Sequence, residues 1–167
     1  MNKSLRSLAT AAVVMVASWA GAAQAQTGGG FELITAAEAQ QTARAELEAP
    51  PEIRPRQVPG PKGNVPGIKV LSPSTTTATV AAPLRIEVAF TPTPGTRIVP
   101  STFRVLYGLL KIDLTERLRK HATVTETGVV VDRAVVPEGQ HRLILQVADD
   151  QGNTAEQELR IRVGAAS

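Results

Sequence analysis

The sequence predicts an all-β fold, an antiparallel two-sheet sandwich of about seven short strands, on three observations. Apolar residues alternate with other residues over 84–90, as in a strand with one buried face. Residues 136–163 have the pattern of a complete hairpin, in which two alternating strands flank a turn at 149–153. Shorter alternating stretches at 103–107 and 129–131 lie between turn-forming sequences, as is typical of a sandwich.

The remaining elements of this domain are predicted from weaker signals. Ile68 and Val70 indicate its first strand, and Thr75 to Val80 could add a further short one. Residues 113–120 instead have helical character, because Asp113 can cap a helix and Glu116 follows three residues later. We therefore expect a short helical insertion in the sandwich, with Leu114 and Leu118 on one face.

The first 25 residues have the pattern of a secretory signal peptide. Lys3 and Arg6 precede an apolar run over 8–20, and small residues end at Ala25. This arrangement predicts cleavage between Ala25 and Gln26 and export to the periplasm or the medium; an uncleaved anchor is the alternative. Removing Lys3 and Arg6 from the 18 basic residues leaves 16 against 15 acidic ones. Bulk charge therefore gives no reason to expect nucleic acid binding or stable membrane insertion after cleavage.

Residues 26–49 are predicted to contain a short helix. Thr35 and Glu38 have the spacing of a capping box, and the helix should run to about Glu48, before the prolines at 50 and 51. A helix with so few large apolar residues is marginal on its own. Two alternatives stay open: the segment is a frayed tail, or its apolar residues at 31–34 dock on the domain or on a partner.

Residues 50–66 form a predicted proline-rich linker between this segment and the sandwich. The stretch contains six prolines, which fix φ and remove hydrogen-bond donors, so it should be an extended, semi-rigid spacer. We expect the sandwich domain at 67–164 and a short tail at 165–167.

The residues 98–105, 137–141 and 149–153 carry a family resemblance. The domain resembles bacterial immunoglobulin-like β-sandwich domains of exported and surface proteins. The resemblance covers about residues 67–164 and implies an adhesive, spacer or partner-binding role. Many relatives place a tyrosine where this chain has His141, and the tyrosine hydroxyl ties the corner to nearby backbone. A histidine can donate a similar bond, so the resemblance implies a structural corner at His141.

Residue types argue against catalysis and cofactor binding. The chain has no cysteine, which excludes disulfides, cysteine nucleophiles and thiolate metal sites. Its two histidines lack an H-x-x-x-H spacing, and no G-x-S-x-G elbow is present. We therefore predict a non-enzymatic module without a cofactor.

The turn at 149–153 supplies the one alternative ligand site. Asp149, Asp150 and Asn153 could offer oxygens to calcium in a calcium- or small-ligand-binding sandwich. The same residue types also satisfy the backbone of a tight turn.

The outward faces of three strands suggest a docking patch. If strand 103–107 and the final hairpin share a sheet, their solvent face carries arginines around a few aliphatic residues, a composition favoured at interfaces. An ordinary solvated sheet face is the alternative. The predicted partner is an unidentified envelope or surface protein, and the predicted partner-binding residues are Arg104, Leu106, Arg142, Ile144, Arg160 and Arg162.

Overall fold

A computed structural model describes residues 29–49, 64–73 and 79–164. The predicted signal peptide, linker residues 50–63 and the tail at 165–167 lie outside the described residues. The helices are α1 (Ala36–Glu48) and α2 (Thr115–Arg119). The strands are β1 (Phe31–Glu32), β2 (Gly67–Ser72), β3 (Thr79–Val80), β4 (Leu84–Thr91), β5 (Ile98–Tyr107), β6 (Ile112–Asp113), β7 (Ala122–Val124), β8 (Gly128–Val135), β9 (Gly139–Asp149) and β10 (Thr154–Val163).

The strands form two sheets, which confirms the predicted fold class. The first sheet has the order β7-β8-β4-β2 with antiparallel pairing, and β1 adds to β8 in parallel. The second sheet has the order β3-β10-β9-β5-β6. Each sheet has five strands, more in total than the predicted seven, and the two-sheet arrangement is consistent with an immunoglobulin-like sandwich.

The core lies between the two sheets and follows the period-two pattern of the strands. Along β4 the residues at 84, 86, 88 and 90 are buried, and along β10 those at 155, 159, 161 and 163 are buried. Burial of one such aliphatic or aromatic side chain contributes about 1.5–3 kcal/mol. The core therefore has no need of disulfides to cross-link it.

The helical insertion is α2, and its cap differs from the predicted one. The N-cap residue is Leu114, whose side chain cannot accept a hydrogen bond. Asp113 acts one residue earlier: its Oδ1 accepts from the Thr115 amide at 2.8 Å. The hydrogen bond from the Thr115 hydroxyl, followed by this one from the Thr115 amide, lowers the pKa of Asp113. Leu114 and Leu118 are both buried, so the predicted apolar face does pack into the core.

The segment before the linker packs on the sandwich rather than fraying. The predicted capping box of α1 is present, with the Glu38 amide donating to Thr35 Oγ1 and the Thr35 amide to Glu38 Oε2. Leu33 and Ile34 are completely buried. The frayed-tail alternative is therefore wrong, because these two side chains belong to the same core as the residues after the linker.

A polar clamp holds this segment to α2. The Nη1 group of Arg117 donates to the Leu33 carbonyl and to Glu38 Oε2, both at 2.8 Å, and Nη2 donates to Glu38 Oε1 at 2.9 Å. The bidentate Arg117 contact is the main reason that the pKa of Glu38 falls from 4.5 to about 2. Charge-assisted bonds thus connect parts of the chain on either side of the linker.

A second contact places α1 against the turn that follows β5. Thr42 is buried above Gly108, whose φ of +64° is in the left-handed region. A Cβ at position 108 would lie 2.1 Å from Thr42 Cγ2, so a side chain there would collide with the helix. Glycine at 108 is required both by its own backbone and by the packing of α1.

Breaking the clamp should destabilise the protein and change its response to acid. We expect Glu38→Gln or Arg117→Gln to lower the free energy of unfolding by about 1–3 kcal/mol. Because the folded-state pKa of Glu38 is depressed from 4.5 to about 2, its contribution is present above pH 4.5 and is lost as the pH falls toward 2. In denaturant unfolding across this pH range, the free energy of unfolding should fall less steeply with decreasing pH for Glu38→Gln than for wild type. Arg85→Gln, which breaks solvent-exposed ion pairs on the first sheet, is the control; a wild-type acid response in Glu38→Gln would contradict the clamp.

Candidate functional site

The outer face of the second sheet brings together the six residues predicted to bind a partner. Strand pairing sets Leu106 beside Ile144, and Arg104 beside Gln146, which extends the face across β5 and β9. In the next pair of strands Arg142 lies opposite Arg160, and Gln140 lies opposite Arg162. We call this surface, formed by the outward residues of β5, β9 and β10, the arginine face.

Ile144 departs from its predicted exposure. It is only 3 % exposed, although its side chain points away from the core between the sheets. Ile144 is on the central strand, with Leu106 on one side and Glu158 on the other. Neighbouring side chains on both sides cover it, so it forms the floor of the face, and Leu106 is the half-buried aliphatic residue at the surface.

Two glutamates complete this face and were not identified from the sequence. Glu158 Oε2 accepts from Arg142 Nε at 2.8 Å, and Glu158 Oε1 accepts from Arg160 Nε. Glu156 accepts from the Gln146 side-chain amide at 2.8 Å. Both glutamates share the outward parity of Arg160, so the alternation along β10 was the signal that could have revealed them.

The charges of the face are arranged at different depths. The Glu158 side chain is 16 % exposed, whereas that of Arg160 is 50 % exposed. Arg104 and Arg162 are exposed as well, and within the described residues they form no hydrogen bond through their side chains. Glu158 therefore lies deeper than Arg160 but level with Arg142, whose side chain is 15 % exposed, and the exposed arginines at 104, 160 and 162 make the outer layer of the face positive.

His141 is near the start of β9, where its ring links the Pro137 carbonyl to the Tyr107 hydroxyl by hydrogen bonds at a corner of the sandwich. Its Nε2–H donates to the Pro137 carbonyl at 2.8 Å, since a carbonyl can only accept. Its Nδ1 must then accept from the Tyr107 hydroxyl, at 2.9 Å. Burial is the main reason that the pKa of His141 is lowered below 6.5, so the neutral ring is the form that this corner holds.

Both oxygens of Asp149 are engaged by its own turn. Oδ1 accepts from the amides of Gln151 at 3.0 Å and Asn153 at 2.8 Å, and Oδ2 accepts from the Asn153 side-chain amide at 2.9 Å. The bond from the Asn153 side chain is the largest cause of the lowered pKa of Asp149. Asp150 instead contacts the residue that precedes β5, accepting from the Arg97 amide at 3.2 Å. These donors favour a structural role for the turn, because they occupy positions that a cation would need.

In the described part of the chain, the other histidine and the acidic residues form no metal-binding group. The ring of His121 stacks on that of Phe31 in β1, with centroids 4.2 Å apart. Among residues 29–49, 64–73 and 79–164, no three histidine, aspartate or glutamate side chains are grouped so as to hold a metal ion. The helices in this part of the chain are too short or too polar to cross a bilayer.

Comparisons with known proteins add one distant structural likeness. No family model matches the chain, and no curated protein matches it. A solved structure, CopC from Methylosinus trichosporium OB3b, is 14 % identical, with a TM-score of 0.42 over 60 % of this chain and 97 % of that one. A likeness this distant assigns no function.

Replacing His141 should weaken the fold and remove part of its sensitivity to acid. We expect His141→Phe to lower the free energy of unfolding by about 2–3 kcal/mol, because the Pro137 carbonyl and the Tyr107 hydroxyl lose their partners. The depressed pKa means that the contribution of His141 is present above pH 6.5 and is lost as the pH falls below it. Unfolding between pH 7.5 and about 5 should be less pH-dependent in His141→Phe. Tyr107→Phe keeps the imidazole, so its free energy of unfolding should still fall as the pH is lowered. Equal pH profiles of His141→Phe and wild type would refute the proposed contribution of His141 to this pH dependence.

The turn should respond to mutation but not to calcium. Asp149→Ala is expected to lower the melting temperature, because the amides of Gln151 and Asn153 lose their acceptor. Adding calcium to the wild type should leave its melting temperature unchanged, since a ligand raises it only by binding the folded state selectively. Magnesium at the same concentration is the control. A selective rise with calcium that Asp149→Ala abolishes would show a calcium site instead.

Proposed function

We propose that this chain is an exported, non-enzymatic immunoglobulin-like module that binds an envelope or surface protein through the arginine face. Export rests on the signal-peptide pattern of residues 1–25. The module comprises the sandwich together with the segment before the linker, since Leu33 and Ile34 lie in the shared core.

The observation that carries the docking proposal is the composition and layering of the arginine face. The face carries four arginines together with the Leu106 and Ile144 pair, and Glu158 lies deeper than Arg160 and level with Arg142. Arginine is enriched at protein interfaces, where it combines apolar contact with directed hydrogen bonds. A flat sheet surface with a positive upper layer complements a protein partner with an acidic surface.

A non-enzymatic role is supported by what the polar groups of the described residues do. His141 ties the corner, Asp149 closes its turn, and Glu38 joins Arg117 in the clamp. Each of these buried or half-buried groups is engaged in holding the backbone. None of them pairs a nucleophile with a general base, which covalent catalysis requires.

Crosslinking from the arginine face should identify the partner. We would place a photoreactive residue at position 106 in cells that make the full chain, and a second one at Lys69, which is exposed on β2 of the other sheet. Position 106 is expected to yield a specific adduct that position 69 does not. The same adduct from both positions, or none from position 106, would refute the docking face.

Charge-reversal variants of this chain, assayed with the purified partner, then test the electrostatic contribution to binding. Arg104→Glu with Arg162→Glu should weaken binding at least about 10-fold, mainly at low salt. Lys69→Glu with Lys120→Glu changes the net charge equally at exposed sites off this face. Both double variants binding alike would show that only bulk charge matters.

A further inference from the structure

Arg142 and Arg160 are an unusual pair because they lie directly opposite each other on adjacent strands. The pairing of β9 with β10 places their Cα atoms in register. Like charges at such positions are destabilising unless a counter-charge separates them. Glu158 supplies this counter-charge, since one of its oxygens accepts from each arginine.

The contacts leave the outer ends of both guanidinium groups available. Each arginine uses its Nε–H toward Glu158, and in the described part of the chain neither Nη group of either residue makes a hydrogen bond. The Arg160 side chain is 50 % exposed, and the Arg142 side chain is 15 % exposed, with no Nη atom among the fully buried unpaired polar atoms of the described residues. One carboxylate thus fixes two guanidinium groups, and their Nη donors are oriented before a ligand arrives.

The balance of charge favours a further anion. Glu158 carries one negative charge against two positive ones, so the three side chains have a net charge of +1. Arg162 lies on the same strand face two residues beyond Arg160, and Arg104 lies across the sheet, whereas Glu156 lies two residues before Glu158. The face therefore carries four arginines against two glutamates and remains positive. An incoming carboxylate therefore meets attraction together with donors that are already positioned, which lowers the entropic cost of binding.

We propose that Arg142 and Arg160, held apart by Glu158, form a carboxylate-binding fork that receives an acidic side chain of the protein partner. This inference rests on the proposed function and specifies its chemistry. The planar guanidinium group presents paired N–H donors at the spacing of the two oxygens of a carboxylate, which lysine cannot reproduce. The fork, rather than charge alone, sets the position of the acidic residue on the face.

A hexaglutamate peptide is a suitable probe of the fork. Its binding to the full chain would be measured at low ionic strength by calorimetry and by backbone amide shifts of β9 and β10. Arg142→Lys with Arg160→Lys keeps the charge but removes the paired donors, and should weaken binding about 10-fold, as loss of a charge-assisted bond does. The matched control, Arg104→Lys with Arg162→Lys, alters two arginines of the same face outside the fork and should change the affinity less than about 2-fold.

Several results would overturn the fork. They are an absence of saturable peptide binding, equal effects of the two double lysine variants, or displacement of the peptide by sulfate more strongly than by chloride at the same ionic strength. The last result would show a general oxyanion site instead of a carboxylate site. Melting curves of each variant would verify that any loss of binding occurs in folded protein.

The fork and the docking face can fail separately. A partner crosslinked from position 106 that binds wild type and Arg142→Lys/Arg160→Lys equally would overturn the fork and leave the docking face. Hexaglutamate binding that depends on the fork, without a specific adduct from position 106 in cells, would support carboxylate binding by the fork and overturn both the docking proposal and the protein partner as the source of the carboxylate.

Discussion

The structure depends on the central position of β9, which pairs with β5 along one edge and with β10 along the other. A strand with two neighbours has side chains packed beside it on both faces, and residues 143, 144 and 145 are consecutively buried. Its inward side chains fill the core, and its outward ones support the arginine face. The two ends of β9 are fixed as well, by His141 at the start and Asp149 at the finish. Core, corner, turn and candidate docking surface therefore share one strand.

The segment before the linker shows how a cysteine-free sandwich can be secured. Two fully buried side chains, Leu33 and Ile34, extend the core beyond the two sheets. Arg117 then satisfies the Leu33 carbonyl and the Glu38 carboxylate together. The apolar contacts supply most of the stabilisation, and the charge-assisted bonds fix where the segment lies. A small helix of low apolar content becomes stable because it packs on something, which it could not do alone.

The arginine face illustrates that the sign of a surface is set by depth as much as by composition. Along β10 two outward glutamates, at 156 and 158, are followed by two outward arginines, at 160 and 162, so a count of charges on this strand alone is balanced. Arginine is long enough to reach past the shorter glutamate, so Glu158 lies below Arg160. The carboxylate neutralises the repulsion between Arg142 and Arg160 at the level of the sheet. The outward layer remains positive, which is the basis of both proposals.

The sequence by itself determined the features that depend on near neighbours. The alternation over 84–90 and 143–147 gave the strands, and the spacing of Thr35 and Glu38 gave the cap of α1, because backbone geometry alone fixes these patterns. The order of strands in the sheets and the burial of Ile144 required the tertiary structure. Parity tells which side of a sheet a residue occupies, but not how deeply its neighbours cover it. The pairing of Glu38 with Arg117, 79 positions apart, likewise arises only when the fold brings two distant segments together.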